Sequence, residues 1–148
     1  MENSAADYAC LLNDVFSFQK EIQFEGEIHN SVLVVQNFLD CDAATAMGVV
    51  GDLMAARMSQ FRDIVGVELP ALFDAQHFDA ATREAVAGYA RNLENWLAGI
   101  LNWHRGCHRY SEADLISNAR PARPELFASP SGLGTSAVRI FRTLQPAR

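Results

Sequence analysis

Two stretches of this chain repeat apolar residues at the spacing of an α-helix, one after Asp42 and one after Asp79. Apolar residues that recur every three or four positions lie on one face of a helix, and that face must be buried against another element. Aspartate is a favoured N-cap residue, so both helices have a predicted start. The repeating residues are Met47, Val50, Leu53, Met54, Met58, Phe61, Ile64, Val65 and Leu69 in the first stretch, and Val86, Tyr89, Ala90, Leu93, Trp96, Leu97, Ile100 and Trp103 in the second. The pattern predicts an all-α helical bundle, with the first of these helices ending at Pro70.

Two more helices are predicted before Asp42. The first runs from about Ala5 to Phe24, where Gly26 would break it, and apolar residues cover so much of its surface that we expect it to be largely buried. The segment 30–39 is rich in β-branched residues, which suit a strand. A lone strand has nothing to pair with in a helical chain, so we predict a helix there as well.

A row of polar residues, Asn13, Ser17 and Glu21, follows the first predicted helix at intervals of four. At about 100° per residue the row drifts only about 80° around the helix axis over two turns, so the three side chains can meet one ion. An amide, a hydroxyl and a single carboxylate are hard oxygen donors, which suit a Mg²⁺ ion that also binds water and phosphate. The row therefore predicts a Mg²⁺ site, and a solvated stripe that happens to carry these residues is the alternative.

A second motif, Arg109-Tyr110, follows this row after some ninety residues. An Arg-Tyr pair at this distance after N-D-x-x-S-x-x-K-E resembles the class I terpene synthases. The segments 25–30 and 99–110 are similar to the amino-terminal cyclase domain of bacterial germacradienol/geosmin synthases. The likeness extends from about Ala6 to about Arg142.

The resemblance implies a function and a set of site residues. In that family the Asn/Ser/Glu triplet binds one of three Mg²⁺ ions, and the Arg-Tyr pair binds the diphosphate of a prenyl substrate. The residues of this chain that match are the metal ligands Asn13, Ser17 and Glu21, and the diphosphate contacts Lys20, Arg109 and Tyr110. The implied activity is that of a lyase, the Mg²⁺-dependent ionisation and cyclisation of a prenyl diphosphate. Farnesyl diphosphate is the expected substrate, and a germacradienol-type sesquiterpene of the geosmin pathway is the expected product.

The family's first metal motif, an aspartate-rich cluster upstream of the triplet, has no counterpart in this sequence. No Asp-Asp pair occurs, and the side chains of Asp40 and Asp42, two positions apart, would not share a helical face. We therefore expect residues 1–117 to be the carboxy-terminal half of a cyclase domain, a partial class I terpenoid synthase fold. Such a half would be inactive alone and would need the missing amino-terminal half as its partner. Residues 118–148, with prolines followed by a Gly/Ser run, are predicted to be a linker or tail.

The composition bounds the other partners. The net charge is −6 and the basic residues are mostly scattered, so nucleic acid is not an expected partner. Acidity is compatible with diphosphate binding when divalent ions lie between carboxylate and phosphate. No run of eighteen apolar residues occurs, so a membrane is not an expected partner either. Three widely spaced cysteines predict a reducing cytoplasmic location, with Cys10 as a small buried residue.

Two other interpretations of the sequence remain open at this point. His104, Cys107 and His108 form H-x-x-C-H, which could contribute to a zinc site, although the fourth ligand would have to come from far away in the sequence. The rival functional class is a non-catalytic helical interaction module, or a subunit that completes a split enzyme. A protein of this class would have exposed apolar faces that bind a partner.

Overall fold

The structure, a computed structural model, describes residues 1–118, and every regular element in that range is helical. The α-helices are α1 (Glu2–Gln19), α2 (Ser31–Leu39), α3 (Ala43–Asp63), α4 (Leu69–Ala75), α5 (Ala80–Gly106) and α6 (Glu112–Asn118). A first π-helical segment, Lys20–Glu25, continues α1, and a second one, Ile64–Glu68, joins α3 to α4. A 3₁₀ turn, His108–Tyr110, follows α5. The predicted all-α fold is confirmed, whereas the predicted linker lies outside the described residues from position 119 onward.

Both aspartates predicted to start helices do so. The Oδ1 atom of Asp42 accepts a hydrogen bond of 2.7 Å from the backbone N–H of Thr45, and that of Asp79 accepts one of 2.8 Å from Thr82. These bonds satisfy N–H groups that have no partner within the helix. The helices that begin there, α3 and α5, are the two long helices that the apolar repeats predicted.

The prediction that the helix after Asp42 ends at Pro70 is wrong. The helix continues through the second π segment into α4, and Pro70 lies in the first turn of α4. Proline usually disrupts the interior of a helix, because it has no N–H to donate and its ring crowds the preceding turn. The wide turns of the π segment come directly before it, so the interruption changes the helix type without ending the helix.

The first predicted helix is also longer than expected. It begins at Glu2, changes from α to π at Lys20, and ends at Gly26, whose φ of 70° is left-handed. Glycine reaches this conformation without the steric cost that a β-carbon brings, which is why it ends helices so often. The backbone N–H of Gly26 and that of Glu27 both bond to the carbonyl of Glu21, the second at 2.9 Å.

Two apolar clusters hold α1 in place. The first joins α1, α3 and α5 and consists of Ala5, Phe61 and Leu97, all less than 5% exposed. The second joins α2 to α3 through Val32, Ala46 and Val50, and partly buried side chains of α1 pack against it. The second half of α1 therefore lies against α2 and α3, while Asn13 contacts the end of α5.

The burial of α1 is less complete than predicted. Its fully buried residues are Ser4, Ala5, Leu12 and Ser17, while most of its other side chains from Tyr8 onward are partly exposed. Neighbouring helices cover only part of its circumference. Cys10 is exposed, so the prediction that it is a buried apolar residue is wrong.

No single helix in the described part of the chain is long and apolar enough to span a membrane, and only the strongly bent pair of Ser31–Leu39 with Ala43–Ala75 meets the length and composition required.

Candidate metal and diphosphate site

Asn13, the first member of the polar row, contacts the residues at the end of α5. Its Nδ2 atom lies 3.2 Å from Nε2 of His104 and donates a hydrogen bond of 3.3 Å to the hydroxyl of Tyr110. Tyr110 belongs to the Arg-Tyr motif. The structure therefore joins the two motifs that the sequence singled out, although they are far apart along the chain.

The second ring nitrogen of His104 determines how the amide of Asn13 is oriented. Nδ1 of His104 lies 2.9 Å from the carbonyl oxygen of Ile100, which can only accept, so Nδ1 carries the proton. In the neutral ring Nε2 is then an acceptor, and it must face the NH₂ group of Asn13. Both N–H bonds of Asn13 are used in this way. Its Oδ1 atom makes no hydrogen bond within residues 1–118 and can serve as a ligand.

Ser17, the second member of the row, is 2% exposed, and its hydroxyl has no hydrogen-bond partner among the described residues. A buried hydroxyl without a partner costs free energy, so native proteins rarely retain one without a reason. This orphaned oxygen lies on α1 between Asn13 and Glu21. A bound cation would supply the missing partner, and the donor set therefore fits a hard divalent ion.

Glu21, the third member, lies in the first π segment rather than in α1 itself. Wide π turns are often found at functional sites because they change the direction of the side chains that follow. One carboxylate oxygen, Oε2, accepts a hydrogen bond of 3.0 Å from Nδ2 of Asn30. The other oxygen makes no hydrogen bond in the described range.

The two predicted diphosphate contacts with basic side chains do not touch the row. Nζ of Lys20 is ion-paired with Oε2 of Glu25 at 2.5 Å. Arg109 is exposed on the 3₁₀ turn and forms no hydrogen bond or ion pair with any described residue. Its guanidinium is thus available to an anion. Lys20 would have to share or leave its pair with Glu25 to contact a diphosphate.

Aromatic rings surround the contact between Asn13 and the end of α5. The rings of His104 and Tyr110 are stacked, with centroids 5.6 Å apart and planes 4° from parallel. Trp103 meets the ring of His104 edge-on at 4.8 Å, and Phe16 of α1 lies 5.1 Å from it. These rings fix the histidine from several sides. Phe16 and Trp103 thus pack around the polar contact between Asn13 and His104.

Sequence reasoning missed three residues that support the row. His104 was considered only as a zinc ligand. Asp14 accepts a hydrogen bond of 2.8 Å through Oδ2 from the backbone N–H of Ser31, and so attaches the start of α2 to α1. Asn30 caps α2 and contacts Glu21. A capping rule could have identified Asn30 as a helix start, but its contact with Glu21 depends on how α2 folds back on α1.

A metal at this site would depend on the amide and hydroxyl together with one carboxylate. Among residues 1–118, no three histidine, cysteine, aspartate or glutamate side chains come together to hold a metal ion. The ring nitrogens of His104, one of the three H-x-x-C-H residues, are both engaged in hydrogen bonds.

Comparison with known proteins supplies a family match. The family described as "Terpene synthase family 2, C-terminal metal binding" matches residues 1–60, a range that contains Asn13, Ser17 and Glu21. The chain is 32% identical over 114 residues to (+)-T-muurolol synthase ((2E,6E)-farnesyl diphosphate cyclizing) of Roseiflexus castenholzii, covering 75% of this chain and 32% of that protein.

Two further relatives are synthases of Streptomyces. Isoafricanol synthase of Streptomyces violaceusniger is 30% identical over 122 residues, covering 81% of this chain and 31% of the relative. Pristinol synthase of Streptomyces pristinaespiralis is 25% identical over 139 residues, covering 94% of this chain and 37% of the relative. The chain thus spans about a third of the length of the curated relatives it matches.

Proposed function

Because the chain belongs to the class I terpene synthase family, we propose that it takes part in the metal-dependent ionisation and cyclisation of a prenyl diphosphate. The observation that carries the proposal is the buried hydroxyl of Ser17, which lacks a partner among the described residues and lies between two other oxygen donors. Asn13, at one end of this row, is in direct contact with Tyr110. A metal site next to a diphosphate-binding motif is what this chemistry requires.

The three residues of the row would form the metal-binding part of the site. Asn13, Ser17 and Glu21 would hold one Mg²⁺ ion, one of the three that the family resemblance implies for a complete domain. When bound, such an ion supplies positive charge that stabilises the leaving diphosphate as the allylic carbon–oxygen bond breaks. The protein contributes fixed charges and dipoles, and no nucleophile is needed.

Tyr110 and Arg109 suit the binding of the diphosphate itself. The oxygen of Tyr110 already accepts a hydrogen bond from Asn13, so its own proton is free to be donated to a phosphate oxygen. An arginine fork can bind two phosphate oxygens at once, and that of Arg109 has no competing partner among residues 1–118. Lys20 would add a second cationic side chain once it leaves Glu25.

We propose farnesyl diphosphate as the substrate, which is the compound named for the muurolol synthase relative. A germacradienol-type product of the geosmin pathway stays a prediction from the resemblance, as does the cytoplasmic location. The 148 residues contain no Asp-Asp pair. We therefore expect these residues alone to bind Mg²⁺ and diphosphate without cyclising the substrate, and gas chromatography of the hexane extract would show a cyclic product if this expectation is wrong.

The proposal is tested by calorimetric titration of the full chain with pyrophosphate, with and without Mg²⁺. We expect pyrophosphate to bind only in the presence of Mg²⁺, and Glu21→Gln to weaken the binding by roughly tenfold or more, since it removes the one carboxylate of the site. Glu68→Gln is the matched control, because Glu68 is an exposed glutamate of the second π segment. Binding that ignores Mg²⁺, or that Glu21→Gln leaves unchanged, would contradict the proposal.

A second candidate function is a helical interaction module or a subunit of a split enzyme. Exposed apolar side chains on α2 favour this alternative, because such side chains commonly bind a partner. Val34, Phe38 and Leu39 of α2 are 59%, 85% and 49% exposed. Such a module would behave as a stable monomer or bind a protein partner, and it would ignore Mg²⁺ and pyrophosphate in the same titration.

A further inference from the structure

Asn30 is a buried amide that connects the proposed metal site to the start of α2. Its side chain is 1% exposed and makes three hydrogen bonds. Oδ1 accepts from the backbone N–H of Val32 at 2.9 Å, while Nδ2 donates to the backbone carbonyl of Asp14 at 2.8 Å and to Oε2 of Glu21 at 3.0 Å. One side chain therefore bonds to α1, to the first π segment and to α2.

The orientation of this amide follows from its partners. The N–H of Val32 can only donate, so it requires the oxygen of Asn30. The carbonyl of Asp14 and the carboxylate of Glu21 can only accept, so they require its nitrogen. The reversed amide would place oxygen against two acceptors in a buried setting, which is unfavourable. A donor directed at Oε2 of Glu21 is thus built into the fold.

This contact leaves Glu21 with one occupied and one available oxygen. Oε2 is held by Asn30, and Oε1 makes no hydrogen bond within the described part of the chain. The backbone of Glu21 is fixed as well, because its carbonyl accepts from the N–H groups of both Gly26 and Glu27. A long side chain that is already held in place loses less conformational freedom when it binds a ligand.

The geometry points to Asn30 as a positioning residue for the metal site: it holds Oε2 of Glu21 so that Oε1 is presented to a divalent cation. The inference rests on the proposed function, since it requires Glu21 to be a metal ligand. Groups that orient metal ligands commonly change metal affinity by one or two orders of magnitude when they are removed. Capping of α2 is a separate task of the same side chain, and the test must distinguish the two.

Replacement of Asn30 by serine separates capping from positioning. Serine is a good N-cap residue, so Asn30→Ser keeps an acceptor for Val32 but loses the donor to Glu21. Calorimetric titration of Mg²⁺ into the full chain at fixed pyrophosphate gives the Mg²⁺ affinity without any need for turnover. We expect Asn30→Ser to weaken Mg²⁺ binding by roughly tenfold. Asp79→Ala, which removes the cap of α5, is the control and should lower the melting temperature without changing the Mg²⁺ affinity.

A double-mutant cycle shows whether Asn30 acts through Glu21. If it does, Asn30→Ser should have little further effect on Mg²⁺ binding in a Glu21→Gln background, because the oxygen it would orient is gone. Equal effects in both backgrounds would overturn the inference. Asn30→Thr, which also caps and fills more of the space, provides the same reading if the serine variant does not fold.

The outcomes separate this inference from the proposed function. If Glu21→Gln leaves Mg²⁺ and pyrophosphate binding unchanged, the metal site itself is wrong and the role of Asn30 falls with it. If Glu21→Gln weakens binding but folded Asn30→Ser and Asn30→Thr bind as the unmodified chain does, the site stands and Asn30 is only a cap.

Discussion

Nδ2 of Asn13 lies 3.2 Å from Nε2 of His104, a residue 91 positions later in the chain. The carbonyl of Ile100 fixes the proton of the ring on Nδ1, so Nε2 is left as the acceptor that holds the amide of Asn13. His104 therefore determines which atom of Asn13 remains for a ligand. The contact also joins α1 to the end of α5, beside the Arg-Tyr motif.

Replacing His104 should affect metal binding through Asn13. His104→Phe keeps an aromatic ring but removes the acceptor, so the amide of Asn13 can rotate, and we expect Mg²⁺ affinity at fixed pyrophosphate to fall by roughly tenfold. His104→Gln retains an acceptor, so its Mg²⁺ affinity should fall less. His108→Phe is the control, since the side chain of His108 is 92% exposed. Calorimetry that gives equal affinity for His104→Phe and the unmodified chain would disprove this role.

Ser17→Ala should change stability and metal binding in opposite directions. The variant removes a buried hydroxyl that has no partner among the described residues, so we expect the free energy of unfolding to rise by about 1 kcal/mol in the absence of metal. It also removes a proposed ligand, so Mg²⁺ and pyrophosphate should bind more weakly. Urea denaturation measures the first effect and calorimetry the second.

Ser4→Ala is the matched control for Ser17→Ala. Ser4 is a buried serine of the same helix, 4% exposed, but its hydroxyl donates a hydrogen bond of 3.2 Å to Gln60. Its loss should lower the free energy of unfolding by about 1 kcal/mol and leave Mg²⁺ affinity unchanged. If both alanine variants are destabilised equally, the hydroxyl of Ser17 has a partner in solution that is not a metal.

Phe61 should be the most costly apolar residue to truncate. It is 1% exposed in the cluster that joins α1, α3 and α5, and Phe61→Ala should lower the free energy of unfolding by about 3–5 kcal/mol. Phe38→Ala tests the same change at a ring that is 85% exposed, where we expect an effect within about 0.5 kcal/mol. Similar losses in the two variants, measured by urea denaturation, would show that the cluster does not form the core.

The helix caps predict how stability falls in acid. Hydrogen bonds from Thr45, with the backbone N–H as the larger cause, hold the pKa of Asp42 below its usual value of 3.8, and those from Thr82, with the side chain first, do the same for the pKa of Asp79. Because the pKa of each capping carboxyl is lower in the folded state, the stability that the charged caps contribute is complete above pH 3.8. It is lost as the pH falls through the pKa of the folded state. We therefore expect the melting temperature to decrease as the pH is lowered beyond that point.

Asparagine caps helices as well as aspartate but does not titrate. Between about pH 5 and about pH 2, the melting temperature of the double variant Asp42→Asn with Asp79→Asn should thus decrease less than that of the unmodified chain. Asp52→Asn removes a carboxylate from the exposed side of α3 and is the control for loss of charge alone. An unchanged pH profile in the double variant would show that these caps do not carry the acid sensitivity.

The sequence predicted the parts of this protein that depend on local rules. Apolar repeats and the capping aspartates located α3 and α5, and the polar row was correctly predicted to follow the first helix, although Glu21 lies in its π-helical continuation. The end at Pro70 was wrong because a π segment precedes the proline, and the spacing of apolar residues does not distinguish π turns from α turns. The supporting roles of His104 and Asn30 could not be predicted, since they depend on which helices meet in three dimensions.

The position of Glu21 also depends on Gly26, a residue that has no side chain. Its left-handed backbone, with φ of 70°, lets the chain turn so that its N–H reaches the carbonyl of Glu21. A methyl group at position 26 would meet no atom within 4 Å apart from those of its chain neighbours, so a substitution there would be opposed by backbone torsion and not by crowding from other parts of the fold. Relief of that torsion would shift the main chain of Glu21, and an alanine in open space could thus disturb a carboxylate five residues away.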